Sequence, residues 1–286
     1  MSGAEPATAA ASIRGEERLK GKTNMLPTVF VSHGSPMLAL ADTPAATFLR
    51  SFGASLERPR AIVVVSAHFE TDRPTVSRAA APEMIYDFRG FPPALSEIVY
   101  AAPGSPEIAE EVAGALSEAG LAPQLGERGF DHGTWVPLTL MYPDAGIPVV
   151  TVSIQPDETP AHHYRLGQAL RALPARGILV LASGSLTHNL WEMDRGDVDA
   201  AAREWATAFA DWIDARLAEG DVEALLDYRR RAPFAAKNHP TDEHLLPLFV
   251  ALGAAGEGAS ARRVHTSHEY GALMMDAYAF SPPAAA

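Results

Sequence analysis

The sequence predicts a single α/β domain with a central, largely parallel or mixed sheet flanked by helices. Three observations carry this expectation. Apolar runs such as Ile62-Val-Val-Val65 and Ile178-Leu-Val-Leu-Ala182 are continuous rather than alternating, so they read as strands covered on both faces. Strand-like and helix-like segments alternate along the chain. The 286 residues, 47% hydrophobic, show no composition shift and no internal repeat that would divide them.

The elements are expected in this order. A strand at 28–32 runs into a Gly34-Ser-Pro36 turn and a helix over about 44–55. A strand follows at 61–66 and another near 74–78. Tyr86 to Pro93 is a Pro/Gly loop with three aromatics. Ser105-Pro106 opens a helix to about Ala119, since Pro suits the first helical position. His132 lies in the next loop, followed by the apolar Val136–Met141 stretch. A strand at 148–154 leads to a helix that starts near His162 or His163 and ends near Leu173. A strand at 178–182 leads to the loop holding His188. Residues 199–218 form a helix with Trp205, Phe209, Trp212, Ile213 and Leu217 on one face, and 221–231 continue as helix. Thr241 is read as the N-cap of a helix ending near Gly253, with Asp242 and Glu243 in its first turn. A strand around 272–279 closes the domain, which spans 25–281. Residues 1–24, Ala-rich and polar, are expected to be a disordered extension, and the Pro/Ala tail to be loose.

Composition narrows the functions. Lys and Arg number 23 against 35 Asp and Glu, a net charge of −12, which argues against nucleic acid or an anionic membrane surface as partner. No apolar stretch approaches the roughly 20 residues that span a bilayer, and the N-terminus lacks a signal peptide's apolar core. Cysteine is absent, so a metal would be held by His, Asp or Glu; this fits a cytoplasmic protein. Neither a G-x-S-x-G elbow nor a nucleotide-binding glycine motif occurs.

Four of the ten histidines occupy Gly/Ser/Pro-rich settings beside apolar runs or in tight turns. His33 follows the first strand, His68 the second, and His188 comes shortly after 178–183, while His132 sits in Gly129-Phe-Asp-His-Gly133. Parallel sheets bind ligands beyond the carboxyl ends of their strands, and three imidazoles delivered to one sheet edge could build a mononuclear metal site. Taken singly, each is also compatible with a turn histidine bonded to backbone. The first two strands are expected to be neighbours, which favours a shared ligand. His132, flanked by Asp131 and Gly133, could donate or accept a proton near neutral pH. His239 and His244 lie in Asn238-His-Pro-Thr-Asp-Glu-His244, which also reads as a solvated helix start. His162, His163, His265 and His268 read as structural or exposed.

Together these stretches resemble the class III extradiol ring-cleavage dioxygenases, in the branch of 4,5-DOPA dioxygenase-like proteins. The matching segments are Val31-Ser-His-Gly-Ser-Pro-Met37, Ile62-Val-Val-Val-Ser-Ala-His68, Asp87-Phe-Arg-Gly-Phe-Pro92, Ala102-Pro-Gly-Ser-Pro106, Phe130-Asp-His-Gly-Thr-Trp135, Ala182-Ser-Gly-Ser-Leu-Thr-His-Asn-Leu190 and Pro240-Thr-Asp-Glu-His-Leu-Leu-Pro-Leu248. The resemblance implies one divalent metal per chain among His33, His68, His188 and His244, with His244 where the wider class uses a carboxylate. It implies Fe(II) for activity, a catechol and O2 as substrates, and Zn(II) in the protein as isolated, because zinc binds such nitrogen sites more tightly than ferrous iron. His188 is then the base that deprotonates the catechol, His132 a second acid/base, and Asp87 and Phe88 residues lining the ring pocket. A zinc hydrolase of an amide or ester, and a non-enzymatic binding protein on the same fold, are the alternatives.

Overall fold

The computed structural model describes residues 25–282; the stretches expected to be a disordered extension and a loose tail fall outside these, apart from Ser281 and Pro282. Ten strands and nine α-helices make up the described chain. The strands are β1 (Thr28–Ser32), β2 (Ala61–Glu70), β3 (Thr75–Ser77), β4 (Gln124–Gly126), β5 (Val149–Ile154), β6 (Ile178–Gly184), β7 (Ser260–His265), β8 (His268–Glu269), β9 (Leu273–Met274) and β10 (Ala277–Ser281). The helices are α1 (Pro44–Ser55), α2 (Pro106–Glu118), α3 (His132–Met141), α4 (Pro160–Leu170), α5 (Glu204–Glu219), α6 (Val222–Leu226), α7 (Tyr228–Arg231), α8 (Ala235–Asn238) and α9 (Leu246–Ala255).

Eight strands form one mixed sheet, as the sequence predicts, in the order β4-β3-β5-β2-β6-β1-β10-β7, which it does not predict. Its centre, β5-β2-β6-β1, is parallel; β10 and β7 join antiparallel beyond β1. The central strands are buried on both faces, which explains their unbroken apolar runs. In β2, Val63 and Val65 face a core shared with α2, α4, α5 and α9, while Ile62 and Val64 face one shared with α1 and α3.

Several expectations are corrected. β1 and β2 are not neighbours: β6 lies between them. β2 runs to Glu70, so His68 lies within the strand rather than after it. His132 is the first residue of α3, because Asp131 caps the helix by accepting from the Thr134 amide. The helix expected from Thr241 begins only at Leu246, with Pro247 in its first turn. The Asp242 side chain instead accepts from the Tyr228 hydroxyl and pairs with Arg229. α5 begins at Glu204 because backbone bonds to Tyr270 and Gly271 hold the preceding residues. The helical stretch over 221–231 breaks at Asp227, and the closing strand is split into β9 and β10. β4 and β7 have no counterpart among the expected elements. β7 is a polar edge strand, and its Arg263 is held by buried Asp276 and by Asp211 and Asp214 of α5. Among the described residues no helix is long and apolar enough to cross a membrane.

Helices α4 and α9 touch backbone to backbone. A Cβ on Gly167 would lie 2.2 Å from the Val250 carbonyl oxygen, and one on Gly253 would lie 2.1 Å from that of Tyr164. Gly167→Ala is therefore expected to destabilise the fold by about 3 kcal/mol, the upper range for overpacking, because backbone atoms cannot swing aside. A lower urea midpoint at constant m-value would show it; an unchanged midpoint would mean that the helices can separate.

Candidate metal centre

The carboxyl ends of β1, β2 and β6 converge on one site. His33 leaves β1 through Gly34, whose φ of +60° turns the chain directly after the imidazole. His68 projects from the end of β2, and β6 between them carries Ser183. His244 arrives from the far end of the chain, where the Ser185 amide donates to its carbonyl oxygen. That approach requires Gly184, because a Cβ there would lie 2.2 Å from the same oxygen. Gly133 likewise lets α3 close over the site: a Cβ would meet Ser66 Oγ at 2.6 Å and the His68 ring at 3.0 Å.

Three imidazoles meet nitrogen to nitrogen. His68 Nε2 lies 3.1 Å from His33 Nε2 and 3.2 Å from His244 Nε2. The far side of each ring determines where its proton sits. Ser183 donates its single proton to the Gly133 carbonyl, so it must accept from His33 Nδ1 at 3.0 Å. Glu243 Oε1 accepts from His244 Nδ1 at 3.0 Å. Asp87 Oδ2 lies 3.4 Å from His68 Nδ1. With all three Nδ1 atoms protonated, three Nε2 lone pairs point at one another. Lone pairs this close repel unless a cation lies between them. Nitrogens around a tetrahedral zinc, bound at about 2.0–2.1 Å, sit roughly 3.3 Å apart. The donor set therefore fits one divalent metal.

Burial reinforces this. It holds His33 and His244 well below the ordinary imidazole range, helped by the fields of neighbouring histidines. Burial likewise brings His68 and His188 down to about 3. At neutral pH these rings are uncharged, which is the form that binds a metal. Burial would raise the Asp87 carboxyl, but the hydrogen bonds and charge of His132, with the charge of His68, outweigh it and bring it to about 2.

The other predicted residues surround this triad. The His188 ring stacks on His244, with centroids 3.4 Å apart and planes within 11°, and its ligand atom lies within 4.8 Å of those of His244 and Glu243. Its Nδ1 lies 3.9 Å from Glu243 Oε1. His132 lies beside His68, ring centroids 3.9 Å apart, and its Nδ1 donates to Asp87 Oδ1 at 2.8 Å. The His132 amide reaches the same oxygen at 3.1 Å. Asp87 thus stands behind His68 and His132, with both oxygens turned toward their Nδ1 atoms. Phe88 presents an edge to His132, centroids 6.0 Å apart, and packs against Phe91 and Trp135. His239 is outside the site: it is buried against Phe209 and Tyr228 and bonded to the Leu186 carbonyl.

Sequence reasoning missed four supporting side chains: Ser183, Asp131, Arg128 and Ser66. Buried Asp131 accepts from Ser66 Oγ at 2.7 Å and from the Thr134 amide and hydroxyl, and pairs with Arg128 at 3.3 Å. Arg128 also donates to the His68 carbonyl at 2.8 Å, fixing the end of β2. An Asp followed three residues later by Thr is the one local signal that could have flagged Asp131 as a cap.

The comparisons with known proteins agree with this architecture. Residues 27–280 match the family model described as the catalytic LigB subunit of aromatic ring-opening dioxygenase. The chain is 42% identical over 263 residues to the 4,5-DOPA dioxygenase extradiol of Beta vulgaris, covering 90% of this chain and 97% of the relative. It is 40% identical over 232 residues to the protein of the same name from Escherichia coli K12, covering 80% and 85%. The crystal structure of an uncharacterized Escherichia coli K12 protein superposes with a TM-score of 0.76 at 36% identity, covering 89% of this chain and 99% of that one. With the family match over nearly all the described residues and three imidazole nitrogens meeting at the sheet edge, the chain belongs to the LigB family of aromatic ring-opening dioxygenases.

Proposed function

We propose that the protein is an Fe(II)-dependent extradiol dioxygenase that opens the ring of a catechol such as DOPA with O2. The observation that carries this reading is the triad of His33, His68 and His244, with Nε2 atoms 3.1 and 3.2 Å apart and two more histidines beside it. His33, His68 and His244 hold the metal. Bound there, Fe(II) supplies the redox chemistry that lets a catechol react with O2, whereas Zn(II) supplies none.

The chain's own residues do the rest. His188, neutral because it is buried, takes a proton from a catechol hydroxyl. His132 has its Nδ1 proton committed to Asp87, which leaves Nε2 free to exchange a proton with substrate or oxygen. The Phe88 edge beside His132 gives the substrate ring an apolar neighbour. Both atoms of O2 enter the product, and the ring bond next to the diol breaks.

Three neutral imidazoles bind zinc at least as well as ferrous iron. The protein as isolated is therefore expected to hold mostly zinc and to be nearly inactive toward catechols. Stripping the metal and adding Fe(II) without oxygen is expected to switch on oxygen uptake and a yellow ring-opened product, and added zinc to suppress both. Robust uptake by the pure zinc form would sink this assignment. No uptake by the iron-loaded form across a catechol panel would move it to a hydrolase or a binding protein.

A further inference from the structure

Four of the five imidazoles of the centre are organised by two carboxylates in parallel arrangements. Asp87 takes the Nδ1 proton of His132 at 2.8 Å on Oδ1 and faces His68 Nδ1 at 3.4 Å with Oδ2. Glu243 takes the Nδ1 proton of His244 at 3.0 Å and faces His188 Nδ1 at 3.9 Å with the same oxygen. Each carboxylate therefore touches one histidine of the nitrogen triad and one histidine outside it. In each pair one contact is a hydrogen bond and the other is longer. His33, the remaining member of the triad, has a neutral partner instead, the Ser183 hydroxyl.

We infer that Asp87 and Glu243 are positioning residues that lock two of the three metal-binding imidazoles, His68 and His244, each to a proton-transferring one, so that ligand orientation and acid/base placement are set together. This rests on reading the centre as a metal site with His132 and His188 as its proton-transfer groups. The physical basis is tautomer control. A carboxylate only accepts, so a ring nitrogen facing it carries the proton and the opposite nitrogen presents its lone pair. Asp87 does this for two rings at once and also accepts from the His132 amide, which ties the start of α3 to the end of β2. Glu243 does it for His244 directly and acts on His188 through the 3.4 Å ring stack. A carboxamide at position 87, where the two oxygens serve different rings, offers one acceptor and a donor that opposes a ring N–H; at 243, where one oxygen serves both rings, the acceptor has to be removed outright.

The test uses the full chain, metal-free and zinc-loaded. Long-range proton–nitrogen spectra of the metal-free protein report which ring nitrogen carries the proton, and chelator competition reports zinc affinity. In the wild type, His68, His132 and His244 are expected to be protonated at Nδ1, a result that needs no variant. Asp87→Asn is expected to redistribute the tautomers of His68 and His132 and leave His244 unchanged. Glu243→Ala, which removes the one oxygen facing both rings, is expected to do the reverse, changing His244 and leaving His68. Each variant is expected to bind zinc about 10–100-fold more weakly. Both side chains are partly exposed, 23% and 16%, so the variants should fold. A carboxylate that served packing alone would lower the unfolding midpoint and leave tautomers and zinc affinity at wild-type values, and that result would overturn the proposal. A wild-type proton on Nε2 of His68 or His244 would overturn it too. A wild-type protein inactive with every catechol would sink the dioxygenase reading instead, since these spectra and affinities are read without turnover.

Discussion

Alanine in place of His33, His68 or His244 is expected to abolish stoichiometric metal binding and, with it, ring cleavage. Each ring contributes one of three Nε2 lone pairs, with His68 Nε2 at 3.1 Å from His33 Nε2 and 3.2 Å from His244 Nε2. His188 cannot step in for His244 without leaving the stack, because its face and not its nitrogen lies against that ring. Elemental analysis of protein freed of loosely bound ions checks this, with one metal per chain in the wild type as reference. One metal retained in all three variants would place the site elsewhere. The His33 variant is the sharpest of the three, since that ring is wholly buried and its Nδ1 proton is fixed by the Ser183–Gly133 relay.

The second large effect separates binding from chemistry. His132→Ala is expected to keep the metal and to lose about 10²–10⁴-fold in kcat, the range a positioned acid/base supplies. His132 is adjacent to the triad but is not one of its facing nitrogens, and its Nδ1 is engaged by Asp87. Steady-state oxygen uptake by iron-loaded protein, normalised to measured iron, gives the result. An unchanged kcat would remove His132 from the reaction; a metal-free variant would make it a ligand.

The parts of the fold legible in the sequence are those where local pattern and tertiary environment agree. β1 and α2 lie where the apolar run and the Ser105-Pro106 start place them, because burial on two faces and N-terminal caps are recorded residue by residue; α1, capped by Thr43, also lies where expected. β4 and β7 were invisible for the opposite reason. They are short and polar, and β7 is held partly by ion pairs from Arg263 to residues of α5 and to Asp276, none of which is a neighbour in sequence. The start of α9 was misplaced because Asp242, which has the composition of a first-turn residue, is drawn away by Tyr228 and Arg229.

At the site, the sequence by itself determined the inventory: four histidines in Gly/Ser/Pro-rich settings and a fifth, His244, after Asp242 and Glu243, an acidic chain neighbour for His132 and for His244, and segments that identify the family. Only the tertiary structure decided their geometry. It inserted β6 between β1 and β2, brought His244 across 176 residues to His68, and stacked His188 on the His244 ring. It also turned Asp87 toward two imidazoles. The reason is physical: a residue type fixes which atoms can donate or accept, but the direction of a lone pair depends on what holds the far side of the ring. Here Glu243 is the chain neighbour of His244, but Ser183 and Asp87 come from elements that meet His33 and His68 only when the sheet is assembled.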